Sequence, residues 1–332
     1  MNAIDKIFTS SAIRTAEANI GGSQVSFERE ALSQHLLFAS SESNSVTRTL
    51  RSFIVLAKPE ITLMVMISAG VASLMASASV QVIVLVHSVV GIGLLAAGAS
   101  ALNQYFEREP DSRMRRTARR PLPAGELSPP QALAFGVAVA FAGMLYVLLL
   151  LNALTALLGL LTLISYLFIY TPLKTRTSLC TFVGAFPGAA PVLIGWSATT
   201  NSLTLEAAAL YAILFLWQFP HFYAIGWLYR EDYERAGMLM LASAGNNDES
   251  ITFHLILIST QLLVVASLLL TFVAQMGTLY LVAAIILGIC FYYFAYHASV
   301  SASKLAAKRL LLASVIYLPL LYLFMILGRI NQ

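Results

Sequence analysis

From residue 61 to residue 328 the chain alternates long apolar runs with short polar stretches. Runs of about 20 apolar residues match the length a helix needs to cross the hydrocarbon core of a bilayer. A helix is the form such a run takes there, because it satisfies its own backbone hydrogen bonds where water is absent. Nine runs qualify, at 61–80, 83–103, 131–151, 154–171, 180–199, 206–228, 253–274, 278–297 and 309–328. Only Asn152 and Ala153 separate the third from the fourth, which predicts a tight helical hairpin. A merged span of about 40 residues would be twice what a bilayer accommodates. The expected fold class is all-α, a polytopic membrane protein of nine transmembrane helices.

Composition agrees. The 332 residues are 58% hydrophobic and 11% charged, with a mean hydropathy of +0.78. A soluble domain carries about 25% charged residues, so this chain lacks the polar side chains to coat a water-facing core. Residues 1–54 differ from the rest, being polar and rich in Ser with both signs of charge. They are expected to form a flexible N-terminal tail ahead of a membrane domain over 55–332. They lack the apolar stretch of a secretory signal, and their acids, Asp5, Glu17, Glu28, Glu30 and Glu42, argue against a transit peptide. Cys180 and Cys290 both lie in apolar runs and are read as small buried hydrophobes, without disulfide or metal spacing.

Nine spans place the two termini on opposite sides, and the basic residues test that arrangement. Lys and Arg occupy the N-terminal stretch up to Lys58 and the loops after the second, fourth, sixth and eighth spans. The other loops have none, and 19 of the 20 basic residues fall on one face, with Arg329 alone on the other. That face is expected to be the cytoplasm of a bacterial inner membrane, or alternatively the matrix side of a mitochondrial inner membrane. The acids are more selective. The loops after the second and sixth spans hold nine of 16. Asp111 and Asp232 take comparable places in them, as two related halves with a site between them would.

Three segments carry chemistry. In Asn103-Gln-Tyr-Phe-Glu107-Arg-Glu-Pro110-Asp111, the four-residue spacing puts Asn103 and Glu107 on one helix face. Pro110 is expected to end or kink the helix near Glu109 and leave Asp111 on a turn beyond. Carboxylates there suit Mg²⁺, which takes few protein ligands and completes its shell with water and substrate phosphates. The arginines that follow, among them Arg116 and Arg120, offer bidentate donors to phosphate oxygens. A solvated loop holding topology by its charge would explain the arginines alone, but not the acids at four-residue spacing. The second segment joins Trp217-Gln-Phe-Pro220-His221-Phe to Arg230-Glu-Asp232-Tyr-Glu-Arg-Ala-Gly237. His221 can serve a ligand or simply pair with another helix. The third, Tyr170-Thr-Pro-Leu-Lys174-Thr-Arg176, adds cations on the same face. His87 and His297, in spans without chemical neighbours, are read as structural.

Acidic clusters, cations and an apolar interior together describe a substrate with an anionic, metal-binding head and a greasy tail, as a prenyl diphosphate has. The run from Asn103 through Asp111 to Met114-x-Arg116-Thr117-x-x-Arg120-Pro121-Leu122 resembles the first signature of the UbiA-type intramembrane prenyltransferases. Its tail, Tyr170-Thr-x-Leu-Lys174, Gly184…Pro187-Gly188-Ala189-x-Pro191…Gly195-Trp196, the Trp-Gln-x-Pro-His-Phe segment and Asp232-Tyr-x-x-Ala-Gly237 with Met240-Leu241 resemble the haem O synthase branch. Lys58-Pro59 is similar to that branch's opening, and the likeness spans about 55–328.

The resemblance implies nine helices around a central cavity. It also implies farnesyl transfer from farnesyl diphosphate to a vinyl group of haem B, with Mg²⁺ as cofactor. It assigns Asn103, Glu107, Asp111 and Asp232 to catalysis, with Glu107, Asp111 and Asp232 on the metal. It assigns Arg116, Arg120, Lys174 and Arg230 to the diphosphate and His221 to the haem, and Lys58 and Arg176 are expected to bind substrate beside them. The implied partners are the lipid bilayer, haem A synthase and terminal-oxidase assembly proteins, with no nucleic acid. Two positions depart from the pattern. Glu107 stands where Asp is frequent, and Thr175 where a second base is common. A relative acting on a quinone precursor or chlorophyllide, and a transporter with a midplane ion site, are the competing readings. The transporter predicts charges buried in mid-span, whereas these charges lie in loops.

Overall fold

A computed structural model describes residues 47–77, 79, 81–239 and 249–330. The expectation for the tail up to residue 46, and the Met240-Leu241 pair, lie outside the described residues. Among the described residues the long elements are helices. In chain order they are α1 (Pro59–Ala76), α2 (Val82–Phe106), the short α3 (Arg108–Arg113), α4 (Pro129–Leu150) and α5 (Ala153–Ile164). α5 runs on through a π-helical turn, Ser165–Tyr170, to Thr171–Leu173. Then come α6 (Cys180–Thr200), α7 (Leu205–Leu228), the short α8 (Arg230–Arg235), α9 (Glu249–Val273), α10 (Thr278–Ser301) and α11 (Lys304–Ile330). Nine of these are long and apolar enough to cross a membrane, as the hydropathy pattern predicts.

Observed ends differ from the pattern by a few residues. α1 starts at Pro59, where a fixed φ and a missing N–H suit a first helical turn. α11 begins at Lys304, five residues before the apolar run, because long cationic side chains can lie along a helix end and still reach water. The hairpin between α4 and α5 is as tight as expected. Leu151 ends α4, and Asn152 caps α5 by accepting the Thr155 N–H at 2.9 Å.

The helices turn apolar side chains outward as well as inward. Leu149 is 69% and Phe272 75% exposed, which suits hydrocarbon as the surrounding solvent. Association between helices then relies on close packing and hydrogen bonds. A Cβ on Gly195 of α6 would strike the Ala69 carbonyl of α1, so glycine lets these two backbones touch. A large core joins α1, α6, α7, α9, α10 and α11 around Leu263, Leu270, Tyr280, Leu310, Leu321 and Met325. Three tyrosine hydroxyls inside it are paired. Tyr280 donates to the Ser267 carbonyl at 2.8 Å, Ser267 Oγ meets Tyr317 at 3.0 Å, and Tyr322 donates to Ser68 at 3.2 Å.

Opposite the charged loops, helix ends meet as up-and-down alternation requires. Ser73 and Thr199 are 2.6 Å apart, Asn152 donates to the Ser197 carbonyl at 2.8 Å, and Arg329 reaches the Leu74 carbonyl at 3.2 Å. Cys180 is buried as expected. Cys290 is exposed on α10 and corrects the reading of it as buried.

Candidate functional site

The site grows from the break between α2 and α3. The helix ends at Phe106, Glu107 (φ −93°, ψ 8°) interrupts it, and α3 restarts at Arg108. The expected ending near Glu109, with Asp111 on a turn, is therefore replaced by a new helix. Pro110 sits in its first turn, where backbone N–H groups have no intrahelical partner and a missing one costs nothing. Asp111 is helical, with its N–H donating to the Glu107 carbonyl at 2.8 Å. Asn103, Glu107 and Asp111 are 1%, 6% and 1% exposed, so the three polar groups face inward.

Cations arrive from two other segments. Pro172 cannot donate the helical hydrogen bond to the residue four back, and the chain widens into the π-helical turn just before it. This brings Thr171 Oγ1 to accept from Asn103 Nδ2 at 3.1 Å and Lys174 Nζ to Glu107 Oε1 at 2.6 Å. The Lys174 ammonium also stands 4.6 Å from the Tyr170 ring centre, and Tyr170 stacks on Tyr166 at 5.6 Å. A Cβ on Gly184 of α6 would collide with that Tyr170 ring. Lys58 sits at the mouth of α1 with φ 48°, in the left-handed region that bulky residues seldom adopt. Its Nζ donates to Asn103 Oδ1 at 3.0 Å.

Burial and neighbours shape the charges. Burial, together with the nearby Arg120 guanidinium, pulls the Lys58 amine down to about 7, against the opposing pull of Glu107. Burial alone would raise the Glu107 carboxyl. The Lys174 and Lys58 ammoniums overcome it and hold that carboxyl below its ordinary value. Burial works against the Lys174 charge, and Glu107 outweighs it, so Lys174 stays protonated well above the ordinary lysine range. Asp111 Oδ2 takes the Arg120 guanidinium at 2.6 Å, while its buried Oδ1 has no hydrogen-bond partner.

The second acidic loop has the same construction. One residue, Tyr229, separates α7 from α8, and Asp232 is the third residue of α8 as Asp111 is the fourth of α3. This supports the expectation that the two loops correspond. Asp232 pairs with Arg235 and accepts the Arg116 N–H at 3.3 Å. The Arg116 guanidinium donates to Tyr233 Oη at 3.0 Å and lies 4.6 Å from the Tyr229 ring centre. Leu239 N–H donates to the Lys174 carbonyl at 2.7 Å, joining the third segment to the same face.

The structure thus gathers Lys58, Asn103, Glu107, Asp111, Arg120 and Lys174, with Arg116 and Asp232 alongside. It does not gather all the expected residues. Arg176 is exposed, and Arg230 lies 4.6 Å from the Trp227 ring centre. His221 lies within α7, with Nδ1 2.8 Å from Ser314 Oγ of α11 and its ring stacked on Trp217 at 4.6 Å. His87 pairs with Tyr146 at 2.8 Å, in keeping with the structural reading. Sequence reasoning gave no role to Tyr166, Tyr170, Thr171, Tyr229 and Tyr233. The available signal was an i, i+4 tyrosine pair beside each of Lys174 and Asp232.

The donors suit a hard cation that shares its shell with a substrate. The unpartnered Asp111 oxygen is free to coordinate, and Glu107 lies one turn away. No group of three or more His, Cys, Asp or Glu gathers to hold an ion among the described residues. Water and phosphate oxygens would complete the shell, which is how Mg²⁺ is commonly bound.

This arrangement of helices and one-sided polar site is that of an intramembrane prenyltransferase, and the comparisons agree. Residues 63–324 match the UbiA prenyltransferase family, and the chain belongs to it. A protoheme IX farnesyltransferase of Solibacter usitatus is 43% identical over 290 residues, covering 84% of this chain and 99% of that protein. One of Koribacter versatilis is 40% identical over 297 residues, covering 86% and 95%. Among solved structures, a digeranylgeranylglyceryl phosphate synthase shares the fold at a TM-score of 0.69 and 17% identity, covering 86% of this chain and 99% of that one. A UbiA homolog from Archaeoglobus fulgidus bound to DMAPP and Mg²⁺ does so at 0.57 and 14%, covering 82% and 99%.

Proposed function

We propose that this chain transfers the farnesyl group of farnesyl diphosphate to a vinyl group of haem B, with addition of water, to give haem O. The observation that carries the reading is 43% identity across nearly the whole of a protoheme IX farnesyltransferase, in a chain whose buried acids and cations form one polar site. In the reaction the allylic C–O bond breaks and its electron pair leaves with diphosphate. The vinyl π-electrons form the new C–C bond to the farnesyl carbon. Water then takes the resulting cation and releases a proton.

The chain's residues would divide the work as follows. Glu107 and Asp111, with Asp232 across the site, would hold Mg²⁺, which supplies charge neutralisation for the departing diphosphate. Asn103, held between Lys58 and Thr171, fixes the orientation of this corner. Lys58, Lys174 and Arg120 are preorganised donors for phosphate oxygens in a buried setting, where such donors count for more than in water. The apolar helices keep water from the allylic cation until the acceptor meets it. The charged loops would face the cytoplasm of a bacterial inner membrane, where basic residues concentrate. Haem B and farnesyl diphosphate are the expected substrates, and haem A synthase and oxidase assembly proteins the expected partners. His221, engaged with Ser314, is assigned to the haem through the Trp-Gln-x-Pro-His-Phe segment alone.

Membranes containing the protein, supplied with haem B, farnesyl diphosphate and Mg²⁺, are expected to form haem O, read by mass spectrometry. Prenylation of an aromatic acid in place of haem would overturn the assignment. Asp111→Ala and Asp232→Ala should each lower turnover at least a hundredfold while the protein stays in the membrane, since a lost charge-stabilising group costs about 10²–10³ in rate.

A further inference from the structure

We propose that Arg116, gripped by Tyr229 and Tyr233, is a clamp that sets the position of Asp232, and is not itself a ligand of the diphosphate. The proposal rests on the prenyl-diphosphate reading above and assigns a positioning role within that site.

Four contacts carry it. The guanidinium lies 4.6 Å from the Tyr229 ring centre and 5.5 Å from that of Tyr233. Its Nη2 donates to Tyr233 Oη at 3.0 Å. The backbone N–H of the same residue donates to Asp232 Oδ2 at 3.3 Å. The side chain therefore holds the element that carries Asp232 by its tyrosines, and the main chain holds the carboxylate itself. Arginine suits this because a planar, delocalised cation can stack on aromatic faces and donate in-plane at once, which lysine cannot do.

The surroundings extend the same join. Met114, two residues before Arg116, packs in a small apolar core with Cys180, Tyr233, Ala236 and Met238. The cations directed at Glu107 and Asp111 are Lys58, Lys174 and Arg120. Arg116 instead faces the tyrosines of the other loop. Phosphate ligation and the clamp predict different partners for the same guanidinium, and the contacts favour the clamp.

The test uses the full chain in detergent, with Mg²⁺ and the unreactive donor farnesyl thiodiphosphate, and no acceptor. The outcome is then independent of whether haem B is the substrate. Binding is measured for R116K, Y233F, Y229L, R116K/Y233F and for R116K in a D232A background, with thermal unfolding recorded for each. The clamp predicts that R116K and the tyrosine variants each weaken Mg²⁺-dependent binding about tenfold, the scale of a lost cation–π and hydrogen-bonded contact. It predicts that R116K/Y233F is no worse than either single variant, and that R116K adds nothing once Asp232 is gone. Silent tyrosine variants, or additive losses in either double, would mean that Arg116 touches the diphosphate directly and would overturn the proposal. A loss of binding matched by a large fall in unfolding temperature would overturn it too, by showing a general structural role.

Discussion

Lys58 shows how much one residue can depend on its surroundings. A left-handed backbone ahead of Pro59 aims its amine at Asn103, among Arg120, Lys174, Glu107 and Asp111. Burial brings the amine down to about 7. Below that pH it is a cation and attracts diphosphate. Above it the amine is neutral, and a bound diphosphate must bring a proton with it. Affinity for farnesyl thiodiphosphate should therefore fall as pH rises from 7 to 9. In Lys58→Arg, whose guanidinium stays charged, the profile should flatten over the same interval. Titrating both proteins side by side removes the diphosphate's own ionisation from the comparison. Equal slopes would show that Lys58 does not supply the charge. The same sensitivity to neighbours explains what sequence left open for Asp111. Spacing identified the carboxylate, and only the structure shows one of its oxygens on Arg120 and the other buried without a partner.

Elements explain how such residues meet. The π-helical turn before Pro172 and the α2–α3 break at Glu107 both depart from regular helix, and they hold the Lys174–Glu107 pair between them. Of the two, sequence reasoning marked only the α2–α3 break, by Pro110, and made no such reading of Pro172. It misjudged the first break by about two residues, because Pro110 was read as ending a helix when it sits in the first turn of the next. Close packing is the other device at this scale. Gly184 leaves room for the Tyr170 ring, which in turn flanks Lys174. Gly184→Val should displace that ring and weaken donor binding about tenfold, with the cost of overpacking a tight contact near 1–3 kcal/mol. Binding and thermal unfolding together check it. An unchanged affinity would show that the Tyr170–Lys174 arrangement is not needed.

At the scale of the whole molecule, alternation of the nine spans among the described residues puts the acidic loops and most cations on one face, and the opposite face is tied by hydrogen bonds such as Ser73–Thr199 and Asn152–Ser197. A reporter that fluoresces only in the cytoplasm should be active when fused within 114–127 and silent within 201–204. The reverse pattern would invert the topology argued from the basic residues. The exposed Glu231–Lys304 pair at 2.7 Å links α8 to the start of α11 on that face. Removing it should matter little, as exposed ion pairs contribute about 0–1 kcal/mol.

By itself the sequence determined the class of solvent, the number of spans found among the described residues, the one-sided pattern of charge and most of the polar residues of the candidate site. Those properties follow from hydropathy, helix length and short-range spacing, which act along the chain. Tertiary structure decided which charges face one another. It placed Lys174 on Glu107, Arg120 on Asp111 and Arg116 between two tyrosines of a distant loop, and it left Arg176 at the surface. The reason is that pairing depends on helix phase, on breaks such as Glu107 and the turn before Pro172, and on close approaches permitted by residues such as Gly195. None of these is set by the composition of a single span.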